Sequence, residues 1–159
     1  MLKRVSSKAL RAGRARFAIV ASRYNANYVN AMVRAAQAEL KRAGAKDIDV
    51  YRVPGAYEIP LVAARLARRR LEPVSAIICL GVILRGETVH AAHIGEAVSR
   101  ALMDLQLRHE IPVVHEVLLL ENRQQARARC LSKTHNRGAE AAQTALGMAA
   151  LMERLNPGD

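Results

Sequence analysis

The stretch Gly81-Val82-Ile83-Leu84-Arg85-Gly86-Glu87-Thr88-Val89-His90 decides how this chain is built. Ahead of it, Ala76-Ile77-Ile78-Cys79-Leu80 is a continuous apolar run of strand length, as expected for a strand covered on both faces. Such a strand belongs at the centre of a sheet. Behind it, Ile94, Val98, Ala101, Leu102 and Leu105 recur at helical spacing, which predicts a helix from near Thr88 to about Arg108. The turn between them presents free amides at a helix N-terminus, a setting that holds anions.

Outward from this turn the pattern repeats. Phe17-Ala18-Ile19-Val20-Ala21 reads as a buried strand, and Ser22-Arg23-Tyr24-Asn25 leads into a helix with Val29, Met32, Val33, Ala36 and Leu40 on one stripe. Asn25 is expected to cap that helix and Gly44 to stop it. Ile48 to Val53 interleaves charge with apolar residues, the mark of an edge strand. Pro54-Gly55 ends it, and Ala56-Tyr57-Glu58-Ile59-Pro60 opens a helix running towards Arg68-Arg69-Arg70. A fourth strand follows Pro112, then a short basic helix near Asn122 to Cys130. A break over Ser132 to Asn136 leads to a last helix that Asn156-Pro157-Gly158 terminates.

Strands alternating with helices imply a parallel sheet with right-handed crossovers, a flavodoxin-like α/β sandwich of four strands with helices on both faces. Ligands of open parallel sheets bind beyond the carboxyl ends of the strands. Three such ends carry unusual chemistry here: Arg23 to Asn25, Gly55 to Glu58, and Val82 to His90.

Length and composition set the bounds. At 159 residues the chain is one domain, expected over 17–159 behind a basic arm, 1–16, that reads as solvated rather than as a nucleic-acid tail. A net charge of +11 favours acidic ligands without choosing among phosphates and nucleic acid. Cys79 and Cys130 fit neither CxxC nor a zinc spacing, which suggests a reducing interior with the cytoplasm as default. No apolar run reaches membrane-spanning length and no secretory h-region opens the chain, so neither a membrane nor export is expected.

Each candidate residue has a functional and a plain reading. Arg85-Gly86-Glu87-Thr88 is an anion cradle, or Gly86 only permits a turn and Thr88 only caps a helix. There is neither GxGxxG nor GxxxxGK[ST], so no dinucleotide or P-loop site is indicated. His90, beside the cradle, is placed to exchange protons with an anchored phosphate ester, or it is a surface histidine. His90 and His93 stand i, i+3 with no telling third ligand, so no metal is expected. Tyr24 and Tyr57 either stack on a planar ligand or pack on the sheet edge. Glu58 either accepts hydroxyls of a polyhydroxy chain or is a first-turn helix acid. Among Arg123, Arg127, Arg129, Lys133 and Arg137, one side chain could complete a phosphate clamp on an otherwise solvated face.

Taken together, Arg23-Tyr24-Asn25, Val53 to Pro60, Leu80 to His90, and Asn136-Arg137-Gly138 to Met148-Ala149 resemble 6,7-dimethyl-8-ribityllumazine synthase, the penultimate enzyme of riboflavin biosynthesis, over about Phe17 to Leu151. The resemblance implies condensation of 5-amino-6-(D-ribitylamino)uracil with 3,4-dihydroxy-2-butanone 4-phosphate, with loss of phosphate and water and with no cofactor. It implies that Tyr24 stacks on the pyrimidine, with Asn25 beside it. Ala56, Tyr57 and Glu58 would line the ribityl and ring site, while Val82, Ile83 and Leu84 meet the uracil edge. Gly86, Glu87, Thr88 and Arg129 would hold phosphate, with Lys133 and Arg137 as further candidates, and His90 would transfer protons.

The resemblance also implies a homopentamer whose sites lie between subunits, the fourth-strand end of one copy bringing His115 to the ring held by the next. Five departures from the family pattern stand out. His115 replaces a usual phenylalanine, Glu116 a small residue, Leu119-Leu120 a threonine pair and Ala91-Ala92-His93 an aromatic-acidic-aromatic run, and Leu131 to Asn136 lacks both glycines of the Gly-Thr-Lys-x-Gly-Asn stretch usual in sixty-subunit shells. Pentamer, decamer and shell, and riboflavin synthase as a partner, stay open at this point. So do two alternatives of other kinds, a flavin- or ribityl-binding paralogue without turnover and, less favoured, a nucleic-acid binder.

Overall fold

Four parallel strands, β1 (Arg16–Ser22), β2 (Asp47–Val53), β3 (Ala76–Leu84) and β4 (Val113–Leu120), form one sheet in the order β2-β1-β3-β4 in the computed structural model, which describes residues 10–156. The connections are α1 (Ala26–Arg42), α2 (Ile59–Ala67) behind a 3-10 turn at Ala56–Glu58, and α3 (His90–His109). After β4 come α4 (Arg123–Ala126), a π turn at Arg127–Leu131, and α5 (Arg137–Leu155). This is the expected flavodoxin-like layering. The expected arm is described only from Leu10, and Pro157-Gly158 lies outside the described residues.

Strand periodicity divides the core in two. Phe17, Ile19 and Ala21 of β1 and Ile78 and Leu80 of β3 face α1 and α5, while Ala18, Val20, Ile77 and Cys79 face α2 and α3. Every residue from Ala76 to Leu80 is fully buried, which is why this run needs no polar alternation. Each buried Ile or Leu contributes on the order of 2 kcal/mol by leaving water. β2 lies at one edge, as its interleaved charges require, and β4 at the other.

Local details depart from the sequence reading in three places. Asn25 occupies the N-cap position of α1 but makes no capping bond; its backbone is left-handed at φ 54 and its amide points elsewhere. Thr88 is not the cap of α3, which starts from Val89. The basic helix is a single α-turn capped by Asn122, whose Oδ1 accepts from Gln125 N–H at 2.9 Å, followed by the π turn. Gly44 does stop α1, at φ +88.

The link from the π turn to α5 needs no glycine. Among the described residues, positive φ outside glycine occurs only at Asn25, Glu72 and Glu110, so Leu131 and His135 both keep ordinary backbone. Ser132 Oγ instead accepts from Thr134 and His135 N–H, at 3.3 and 3.0 Å, and Asn136 Oδ1 caps α5 through Gly138 N–H at 2.8 Å. α5 then packs on α1 so closely that the backbone of Met32 occupies the place of a side chain at Gly138.

Candidate active site

β3 outlasts its neighbour. Pairing with β1 ends at Ala21↔Leu80, whereas β3 continues through Gly81 to Leu84. The carbonyl of Val82 therefore has no β1 partner, and Asn25 supplies one: its Nδ2 donates to Val82 O at 2.7 Å. Gly81 lies inside the strand, hemmed in by Val117, Ser22 and Ile59, where a side chain would crowd all three. The turn proper begins at Arg85, whose N–H continues the ladder to Leu120 O at 2.8 Å and whose guanidinium meets Glu121 Oε1 at 2.7 Å.

Beyond these strand ends lies a cavity of about 1000 Å³. It is lined by Tyr24, Asn25, Ala56, Tyr57, Glu58, Val82, Ile83, Leu84, Gly86, Thr88 and His90, so residues from three separate loops converge as expected. Tyr24 and Tyr57 are 75% and 65% exposed, so both rings stand free at the cavity instead of packing on the sheet. Glu58 also shapes the backbone, since its Oε2 accepts from Gly55 N–H at 2.9 Å and closes the turn into α2. That leaves Oε1 with no protein partner among the described residues.

His90 is exposed in the first turn of α3. The first bond into that helix runs from His93 N–H to Val89 O at 3.2 Å, and Thr88 Oγ1 takes His90 N–H at 3.4 Å. The amides at this end and the helix dipole favour an anion between Gly86 and His90. Gly86 has nothing within 4 Å of the place where a side chain would sit, so the turn is open there to a ligand.

Gly55, Ala91, His93, Ile94 and Ala97 also line the cavity, and the sequence reading does not mark them as binding residues. A signal for the helix is nonetheless present: His90, Ile94 and Ala97 recur at i, i+4 and i+7, one face of α3. His90 and His93 share the cavity, and no group of three His, Cys, Asp or Glu that could hold a metal occurs among the described residues.

Glu87, His115, Arg129, Lys133 and Arg137 do not line this cavity. Four of them surround β4 and the chain after it. His115 projects on the α3 side, where its Nε2 lies 2.7 Å from Ser99 Oγ and its Nδ1 accepts from Val117 N–H at 3.1 Å. Burial pushes the His115 imidazole below its ordinary value. One residue on, Glu116 projects to the opposite face, within electrostatic reach of Arg137, Glu140 and Arg129. Burial pushes its carboxyl up to about 7, against the pull of the two arginines. Lys133 lies by α1, near Arg34 and Arg42. Burial also raises the Cys79 and Cys130 thiols, to about 12 and about 11, which makes both poor nucleophiles.

Comparison with known proteins agrees with this geometry. A family model described as 6,7-dimethyl-8-ribityllumazine synthase matches residues 14–153. The chain is 43% identical over 143 residues to a 6,7-dimethyl-8-ribityllumazine synthase of Stenotrophomonas maltophilia (strain R551-3), covering 89% of this chain and 91% of that protein. It is 42% identical over 148 residues to one of Xanthomonas campestris pv. campestris (strain B100), covering 92% and 95%. With its parallel sheet, its cavity at the strand ends and these similarities along almost its whole length, the chain belongs to the 6,7-dimethyl-8-ribityllumazine synthase family.

Proposed function

We propose that this chain is a transferase of riboflavin biosynthesis that condenses 5-amino-6-(D-ribitylamino)uracil with 3,4-dihydroxy-2-butanone 4-phosphate to 6,7-dimethyl-8-ribityllumazine, releasing phosphate and water. The observation that carries the reading is the single cavity in which Tyr24, Tyr57, Glu58 and His90 meet. Tyr24 stacks on the pyrimidine, with Asn25, Ala56, Tyr57, Val82, Ile83 and Leu84 around it. Glu58 Oε1 accepts ribityl hydroxyls. Gly86 and Thr88 seat the phosphate at the α3 N-terminus, and Arg129 of a neighbouring copy completes the clamp.

The physics of the step is mostly placement. Holding amine and ketone together converts an encounter into an intramolecular reaction. His90 moves protons during imine formation, elimination and ring closure, and the seated phosphate departs as a stable anion.

His115, Arg129, Lys133 and Arg137 lie away from the cavity of their own chain, which supports a site completed by a neighbouring copy. The β4 edge of one subunit then closes the pocket of the next in a pentamer. Residues 17–159 form the working domain behind a solvated basic arm, and the protein acts in the cytoplasm.

Mixing both substrates with the purified protein tests the activity: the lumazine product is expected. No product at saturating substrate, with tight flavin binding retained, would mean a binding paralogue. Mixing inactive H90Q and R129A subunits after dissociation should restore activity through hybrid sites, and no restoration would place each site within one chain. Particle mass alone and with riboflavin synthase separates pentamer from decamer or sixty-subunit shell, and shows whether that enzyme binds.

A further inference from the structure

β4 is an edge strand, and the direction of its backbone groups alternates. Amides of Ile77 and Arg85 reach the carbonyls of Pro112 and Leu120 at 2.9 and 2.8 Å, so even-numbered β4 residues face β3 and odd-numbered amides face outward. Side chains occupy two of the outward amides. Val113 N–H donates to Gln106 Oε1 at 3.0 Å, and Val117 N–H donates to His115 Nδ1 at 3.1 Å. Such caps blunt an edge that would otherwise invite a further strand.

The second cap determines where the histidine proton sits. An amide can only donate, so Nδ1 is unprotonated and the neutral ring carries its hydrogen on Nε2. Nε2 lies 2.7 Å from Ser99 Oγ, while the Ser99 hydroxyl donates to Gly95 O at 2.7 Å and so leaves its oxygen to accept from Nε2–H. One tautomer satisfies all three bonds. A proton on Nδ1 would confront the Val117 amide and force Ser99 to leave Gly95.

We propose that Ser99 is a positioning residue for the ring substrate: with the Val117 amide, it locks His115 as the Nε2–H imidazole and fixes the plane that the β4 edge offers to a neighbouring pocket. The lock rests on the hydrogen bonds alone, whereas its use in binding rests on the shared site proposed above. A flat, neutral ring whose orientation is set before the substrate arrives avoids the ordering cost a free side chain would add. Gly95, Ser99 and Gln106, which meet β4 from α3, are uncharged. Glu96 and Arg100 beside Ser99 pair with each other at 2.7 Å. Cys79, opposite His115 in register, is a neutral thiol, and Glu116 lies on the other face.

Solid-state 15N spectra of histidine-labelled protein, with the His115 signals identified by their loss in H115F, read the lock without an assay. At pH 7 the wild type is expected to show an unprotonated Nδ1 and a protonated Nε2. Ser99→Ala, which frees the ring to rotate away from the Val117 amide, should give mixed tautomers, and Ser99→Thr, which keeps the hydroxyl, should restore the single one. In steady-state kinetics Ser99→Ala should raise KM for the aminopyrimidine by roughly three- to tenfold, with kcat within about twofold and Ser99→Thr recovering the loss. A protonated Nδ1 in the wild type, or an unchanged spectrum in Ser99→Ala, overturns the lock. A lost lock with unchanged KM overturns the positioning role. If the wild type forms no lumazine, the functional reading fails and the positioning role with it, while the spectra still decide the lock.

Discussion

Asn25, at the head of α1, and Val82 of β3 are joined by a 2.7 Å bond in which the side-chain amide of Asn25 stands in for a missing strand neighbour. The bond ties the loop carrying Tyr24 to the floor of the cavity. It also explains the left-handed backbone of Asn25, a conformation that asparagine tolerates better than most residues. Asn25→Gly keeps that conformation and loses only the bond, a cost of about 1 kcal/mol. Asn25→Ala loses the bond and adds roughly 1–2 kcal/mol of backbone strain. Denaturant titration should rank Ala below Gly below wild type, and equal stability of the two variants would remove the strain from the account. KM for the aminopyrimidine should rise by about fivefold in both.

Glu116 makes stability depend on pH. Burial raises its carboxyl to about 7 in the folded chain, against 4.5 for an ordinary one. The fold thus binds this proton more tightly than the unfolded chain does. The associated stability is fully present below about pH 4.5 and is lost as pH rises towards 7, with an upper bound of about 3 kcal/mol. Glu116→Gln should therefore melt higher than wild type at pH 8 and show no gain at pH 4. Thermal melts at both values check this, and an equal gain at both would mean the effect is not titration.

Gly138 and Gly147 lie on the same helix and should respond in opposite directions to alanine. A Cβ at Gly138 would collide with the Met32 backbone, which cannot turn aside, so α1 and α5 must separate. The cost is roughly 1–3 kcal/mol. Gly147 has nothing within 4 Å of the added atom, and alanine there should gain about 0.5–1 kcal/mol of helix propensity. Parallel denaturation curves of the two variants measure the difference.

Proton transfer by His90 predicts a split between rate and binding. Replacing it with glutamine should lower kcat by about 10²- to 10⁴-fold. The inhibition constant of inorganic phosphate, whose seat is the turn and helix N-terminus, should stay within about twofold. An unchanged kcat would take His90 out of the chemistry.

Much of this architecture is legible in residue order because it follows from local periodicity. The unbroken apolar run at Ala76 to Leu80 reads as a strand covered on both sides, and the charges interleaved along Ile48 to Val53 suit an edge. Parallel connection then forces the ends of β1, β2 and β3 to one side, so Tyr24, Tyr57 and His90 gather without any long-range knowledge. Asn25 reads as a cap because its residue type fits one. Its true partner depends on β3 outlasting β1, which no local pattern records.

The neighbours His115 and Glu116 mark the same boundary. By itself the sequence determined the strand that carries them and, through the two-residue period, that they face opposite ways. Only the tertiary structure decided that one meets Ser99 of α3 while the other lies near Arg129 and Arg137. Hydrogen-bond partners and burial depend on which helix covers each face, and that is settled by packing across the whole sheet.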